Sequence, residues 1–263
     1  MQDMGELIDE LDRWADEGRR LEAWWRDDDA VRPSPALGRL TQAASSRGLP
    51  LALAVIPAAM IPELAGALAD PCLTVLQHGF AHRNHAVCGA RAVECGGVRQ
   101  RDALLGDLAA GRDRLEAMFG ARFVPALVPP WNRIEPDVVR ALPGLAYRGV
   151  SLFGSRPSPP QAAGFAEINT HLDLLTWKGG ARFAGRDKLI RLAAERIADR
   201  RLGRTDPQEP FGLLTHHLDH DGQTWDFLGE LLDTLAAHGS VRFRGAASLF
   251  AAAPAPEAGS PRP

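Results

Sequence analysis

The stretch Trp24-Trp25-Arg26-Asp27-Asp28-Asp29-Ala30 decides how the rest of the chain is read. Three consecutive carboxylates straight after an apolar pair are costly near a core, because carboxylates are rarely buried without a cation or a metal. Leu21 to Trp25 read as a short first strand, and Pro33 and Pro35 mark a turn beyond it. The triplet then stands at a strand's C-terminal end, where α/β folds collect their chemistry. The competing reading is a solvated acidic turn that caps the helix after Pro35. Two histidine clusters and a Pro-Pro-Trp loop, each also closing a strand-like run, favour the first.

The 263 residues suffice for a substantial core, and apolar (45%) and charged (24%) fractions are those of a soluble globular chain. With 30 basic against 33 acidic residues the net charge is −3. No global field therefore recruits nucleic acid or an anionic membrane. Cys72, Cys88 and Cys95 form no CxxC pair, which suits free thiols in a reduced compartment. The first twenty residues form an acidic amphipathic pattern without the basic and apolar regions of an export signal, so a cytoplasmic location is expected. Leu49 to Ala69 is apolar but holds Pro50, Pro57, Pro62 and Glu63, which excludes a membrane span.

Outward from the triplet, short apolar strands alternate with helices. Strands are expected at Leu51–Ile56, Cys72–Gln77, Phe123–Val128, Ala146–Leu152, Phe165–Leu175, Phe211–Thr215 and Val241–Phe243. Helices are expected at 2–19, Leu37–Ser46, Pro62–Leu68, Val98–Phe119, Pro136–Leu142, Arg186–Arg201 and Trp225–His238. Ser155–Gly164 reads as irregular, and the Ala/Pro-rich residues 251–263 as a disordered tail after a single domain over 1–250. Strand runs that are apolar rather than alternating imply a parallel sheet covered by helices. About seven βα units, with no glycine-rich dinucleotide fingerprint, favour a closed or nearly closed barrel over an open sheet. The acidic triplet, His78-Gly79-Phe80-Ala81-His82, Pro129 to Arg133, and His216 to Asp221 would then converge at one mouth.

Each cluster has its own chemistry. His78 and His82 can reach one metal, and an aspartate from another strand end would complete a set of two imidazoles and one carboxylate with open positions. His85 is a weaker candidate. Adjacent aspartates on a strand end point apart, so one can bind metal while its neighbour takes a proton from an activated water. His216 closes an apolar strand and could protonate a leaving group, with His217 on the other face and Asp219 or Asp221 orienting one ring. Pro129-Pro130-Trp131 is a rigid turn that can offer a backbone N–H to an oxyanion and a wall to a sugar ring.

In order, the chain presents Asp-Asp closing a strand, His-x3-His, Pro-Pro-aromatic, an Asp173…Trp177 stretch, and Leu-Leu-Thr-His. This ordered set, over roughly residues 20 to 245, resembles the polysaccharide deacetylase (NodB-homology, carbohydrate esterase 4-like) family. The resemblance implies a distorted (β/α)7 barrel and a metal-dependent hydrolase that removes an acetyl or other small acyl group from an N- or O-acetylated carbohydrate or oligosaccharide. It implies a divalent ion, Zn2+ or else Co2+ or Ni2+, on Asp29, His78 and His82. By the same resemblance Asp28 is the base, His216 the acid, and Pro130, Trp131, Asn132, Arg133, Asp173 and Trp177 contact substrate. An alignment one residue earlier makes Asp27 the base and Asp28 the ligand. The family's third motif opens with an arginine where this chain has Val128, leaving Arg26 or Arg133 to substitute, and Ala30 replaces a Gly-Pro. These departures admit a second outcome: a lapsed barrel that binds sugar or metal without hydrolysis.

Overall fold

The acidic triplet lies inside a strand. In the computed structural model, which describes residues 4–156 and 165–251, β1 runs Leu21–Ala30 through Asp27 and Asp28. The strand expected to end at Trp25 runs on because parallel pairing continues: Ala23 to Asp27 match Phe211 to Thr215 on one side, and Arg26 and Asp27 match Ala52 and Leu53 on the other. Most of Ser155–Gly164, and the tail beyond residue 251, lie outside the described residues.

The chain order is α1 (Gly5–Asp16), β1, α2 (Pro35–Ser45), β2 (Leu51–Val55), α3 (Leu64–Ala67), β3 (Leu73–His78), α4 (Arg101–Phe119), β4 (Phe123–Val128), α5 (Pro136–Ala141) and β5 (Gly149–Val150). It continues with β6 (Ala166–Glu167), β7 (Leu172–Asp173), a small hairpin β8 (Leu175–Thr176) and β9 (Arg182–Phe183), α6 (Arg186–Arg201), β10 (Phe211–Thr215), α7 (Gly222–Ala237), β11 (Val241–Phe243) and α8 (Ala246–Leu249). Helix starts follow local chemistry. Ser34 accepts from the Leu37 amide with Pro35 in the first turn, and Asp221 accepts from the Thr224 amide. Asp221 is therefore a helix cap and not the orienting group for a histidine ring.

The main sheet is parallel in the order β6-β5-β4-β3-β2-β1-β10-β7, with β11 also on β1. The two ends meet in one stretch of chain. Ile168 and Thr170 donate to the Val150 and Leu152 carbonyls at 3.1 and 3.0 Å, and His171 donates to Gly212 O at 2.6 Å. Residues 166–173 thus bond to β5 at their start and to β10 at their end. The long strand expected over Phe165–Leu175 is split because it changes partner midway. Counted once, it is the seventh stave of a distorted (β/α)7 barrel.

Alternation along the staves sorts the core. Trp24, Ala52, Ala54, Leu76, Val124, Ala126 and Val128 pack together inside the barrel with Phe250, whose ring meets Trp24 edge-on at 6.2 Å. Trp25, Leu51, Leu53, Val55, Val75 and Leu213 face the helices, joining Leu7, Leu11 and Trp14 of α1 and Leu228 and Leu231 of α7. Gly212 matters to the interior: a Cβ there would stand 2.6 Å from the Trp24 indole nitrogen.

The same parity separates the aspartates. Asp28 shares the inner face with Trp24 and Arg26, whereas Asp27 shares the outer face with Trp25. Asp27 Oδ1 meets His217 Nδ1 at 2.5 Å, and its Oδ2 accepts from Thr215 Oγ1 at 2.7 Å and the His217 amide at 3.0 Å. Trp25 Nε1 donates to the same Thr215 oxygen at 2.9 Å. Burial opposes protonation of His217, but the Asp27 charge beside it wins and raises the ring's pKa. Asp27 is a tie between β1 and β10, which removes it as a base at the mouth. His217→Ala is expected to lower unfolding free energy by about 3 kcal/mol, since it leaves a buried carboxylate without its cation. A urea midpoint equal to that of the parent would show the pair to be dispensable.

Candidate metal centre and active site

β1 carries one residue more than its neighbour between Asp27 and Ala30, which match Leu53 and Val55. The extra residue makes a bulge, and Asp29 takes the left-handed conformation at φ 73°. Bulges of this kind re-aim a side chain. Strict alternation would send Asp29 outward with Asp27, and the bulge returns it to the mouth beside Asp28.

There Asp29 Oδ1 lies 3.2 Å from His78 Nε2 and 3.5 Å from His82 Nε2. The three ligand atoms lie within 4.8 Å of one another. Two donors about 2.1 Å from a tetrahedral ion stand about 3.4 Å apart, so the Asp29–His spacings suit a shared divalent cation. His78 Nδ1 lies 2.9 Å from the Val128 carbonyl, which fixes the ring with Nε2 towards the centre. Asp29 Oδ1 is buried without a hydrogen-bond partner. Burial works against its ionisation, but the adjacent His78 imidazole, helped by the charges of His82 and His216, outweighs it and holds the carboxyl far below the usual range. An anionic oxygen with two imidazole nitrogens is a donor set that fits Zn2+, Co2+ or Ni2+.

His82 sits on a turn of four residues beyond β3, at φ 54°. Glu94, buried on the loop that follows, holds that turn by accepting from the amides of Phe80 (3.0 Å), Ala81 (2.8 Å) and Arg83 (3.1 Å). Gly79, at φ +52°, makes room for it: a Cβ there would fall 1.9 Å from the Glu94 carboxylate. No sequence motif marks Glu94. Its only signal is a lone acid in a small-residue loop. His85 Nδ1 meets the Glu94 carbonyl at 3.1 Å, away from the ligand set.

Asp28 is held by Arg26 through Nε–Oδ1 at 2.9 Å and Nη2–Oδ2 at 3.0 Å. Both residues are buried. The guanidinium also donates to Ser151 Oγ (2.6 Å) and Asn132 Oδ1 (2.7 Å). Of the two arginines left open by Val128, Arg26 is the one at the carboxylate. Alternation could have identified it, since a buried arginine two residues before an aspartate in a strand shares its face. Arg133 instead donates to the Ala92 carbonyl at 2.7 Å.

His216 faces Asp28 across the mouth, its Nε2 4.0 Å from Asp28 Oδ2 and its Nδ1 3.8 Å from Asp173 Oδ1. Asp173 accepts from Trp177 Nε1 at 2.8 Å and from the Leu175 amide at 2.9 Å. Burial raises the Asp173 pKa despite the His216 charge nearby. The Trp177 ring stands edge-on to His216 at 4.6 Å. Asp173, rather than Asp219 or Asp221, is thus the acid beside the His216 ring. A cavity of about 860 Å³ gathers Asp28, Asp29, His78, His82, Trp131, Asn132, Arg133, Asp173, Trp177 and His216. Pro130 is the exception. It is buried next to Gly79, where a Cβ would touch its ring, and it supports the wall without lining it.

At the level of sequence, no family model matches the chain and no curated protein matches it. Solved structures do. A Mycobacterium smegmatis chain described as a polysaccharide deacetylase superposes with TM-score 0.66 at 18% identity, over 88% of this chain and 89% of that one. A cobalt-bound family 4 acetyl xylan esterase from Clostridium thermocellum gives 0.55 at 11%, over 87% and 90%. The fold is that of the polysaccharide deacetylases. A family 4 pseudoenzyme from Bacillus anthracis shares it too, with TM-score 0.58 at 12% identity over 88% of this chain and 66% of that one.

Gly79→Ala and Glu94→Ala are each expected to weaken Zn2+ binding by about 10- to 100-fold, because they release the turn that aims His82. Competition against a chromophoric chelator reads this directly. Parent-like affinity in both variants would remove Glu94 from the site.

Proposed function

We propose that the chain is a metal-dependent hydrolase that removes an acetyl or similar small acyl group from an amide or ester on a carbohydrate. One observation carries this reading: Asp28 and Asp29, adjacent in sequence, have different partners, a guanidinium for one and two imidazoles for the other. A proton acceptor and a metal ligand need that division.

Asp29, His78 and His82 would hold the ion, which when bound acidifies a water and polarises the acyl carbonyl. Asp28, kept in place by Arg26, which Asn132 anchors in turn, accepts the proton of the attacking water. His216 stands on the opposite side of the mouth and donates to the departing nitrogen or oxygen, its ring held between Asp173 and Trp177. The amides of Asn132 and Arg133 close their own turn onto the carbonyls of Pro129 and Pro130. The contact to the developing oxyanion therefore falls to the Trp131 amide. The Trp131 and Trp177 rings border a slot for a sugar ring. A pseudoenzyme shares this fold, and turnover separates a hydrolase from a lapsed barrel. Here the arginine missing at Val128 is replaced in function by Arg26, which favours activity.

With Zn2+ or Co2+ added, acetate release from N-acetylated chito-oligosaccharides or from a chromogenic acetyl ester is expected, abolished by chelation and restored by metal. Asp28→Asn should keep the ion and lose about 10²- to 10⁴-fold in kcat. Hydrolysis by Asp28→Asn at the parent rate would dismiss Asp28 as the base.

A further inference from the structure

The charges of the mouth do not match. Its three carboxylates all have partners: Asp28 has Arg26, Asp29 has the two imidazoles, and Asp173 has Trp177 and the Leu175 amide. Arg91 and Arg133 line the same cavity, and among the described residues neither takes part in an ion pair. Arg133 donates only to a neutral carbonyl, that of Ala92, and its Nε is buried with no hydrogen-bond partner. Burial and the like charge of Arg91 both disfavour its protonated form. In a chain of net charge −3, two unpaired guanidiniums at one wall are not the by-product of a basic surface.

Placement adds to this. Arg133 follows Trp131 by two residues, on the turn whose indole lies 4.5 Å from the His82 ring. Arg91 stands on the loop whose Glu94 anchors the His82 turn. Both cations are therefore tied to the His82 side of the ligand set, opposite Asp173, Trp177 and His216. Guanidiniums that no carboxylate engages can take a carboxylate or phosphate as their partner.

We propose that Arg91 and Arg133 form an anion subsite, and that the preferred substrate is an acylated sugar bearing an oxyanion, such as a uronate carboxylate or a phosphate, on the His82 side of the scissile bond. The reaction assumed rests on the reading above, whereas the anion subsite does not depend on it. Guanidinium forks select such a group over a neutral hydroxymethyl and order the sugar with its acyl group at the ion.

The test compares kcat/KM for N-acetylglucosamine 6-phosphate or an N-acetylated uronate-containing disaccharide with that for neutral N-acetylchitobiose, in the Zn2+-loaded parent and in Arg91→Gln, Arg133→Gln and Arg133→Lys. The expected charged-to-neutral ratio exceeds ten in the parent and falls about tenfold in each glutamine variant, with Arg133→Lys intermediate. The parent's preference should also weaken as salt rises. A ratio near one, or one that the glutamine variants leave unchanged, would overturn the subsite. If no sugar is turned over, calorimetry of glucose 6-phosphate against glucose decides separately. Binding of the phosphate alone, lost in the double glutamine variant at unchanged Zn2+ affinity, supports the subsite while the deacetylase reading fails. Equal binding in parent and double variant overturns the subsite as well.

Discussion

A guanidinium buried in the middle of a barrel is the constraint around which this mouth is built. Arg26 has no exposed surface, and a charge so placed persists only with its partners in position. Asp28 supplies the counter-charge through one hydrogen bond to Nη2 and a close ion-pair contact to Nε, and Ser151 and Asn132 take further donors. Each partner comes from a different stave end or turn. Satisfying Arg26 therefore draws the ends of β1, β4 and β5 towards one point, and the same contacts that neutralise it orient the carboxylate that faces the mouth.

Above that layer the backbone is strained where side chains must converge. Of the non-glycine residues with positive φ among those described, Asp29, His82, Trp131 and Asn132 all line the cavity. Such conformations cost on the order of 1–3 kcal/mol each and persist only where surrounding contacts over-determine them. Those contacts are present. Pairing with β2 at Asp27 and Ala30 brackets the bulge at Asp29, Glu94 holds the turn at His82, and the Arg26 guanidinium grips Asn132. Strain at the mouth is thus tied to buried hydrogen bonds one layer down.

The outer wall shows the same division of labour. Asp27 and His217 use the face that points away from the cavity to join β1 to β10, so two neighbouring acids of one tripeptide serve opposite sides of the sheet. The position of His216 follows, because it directly precedes the histidine that Asp27 holds. Charge then grades across the opening, from paired carboxylates at the floor to unpaired guanidiniums at the His82 wall.

Much of this was legible from the order of residues alone. The parallel barrel followed from apolar strand runs alternating with helices, and the convergence of Asp28, Asp29, His78, His82 and His216 followed from each cluster closing a strand. Alternation even contained the choice between Asp27 and Asp28, once the strand is known to continue through them. The tertiary structure decided the remainder, and in each case for a physical reason. The bulge that returns Asp29 to the mouth depends on a register shift against β2. The split of 166–173 between two partners depends on closing the ring. Asp27 reaches His217 only because distant segments pack side by side, and Glu94 reaches the His82 turn only because its own loop folds back on it. Local sequence sets periodicity and element type, whereas register, closure and the pairing of buried charges are properties of the assembled sheet.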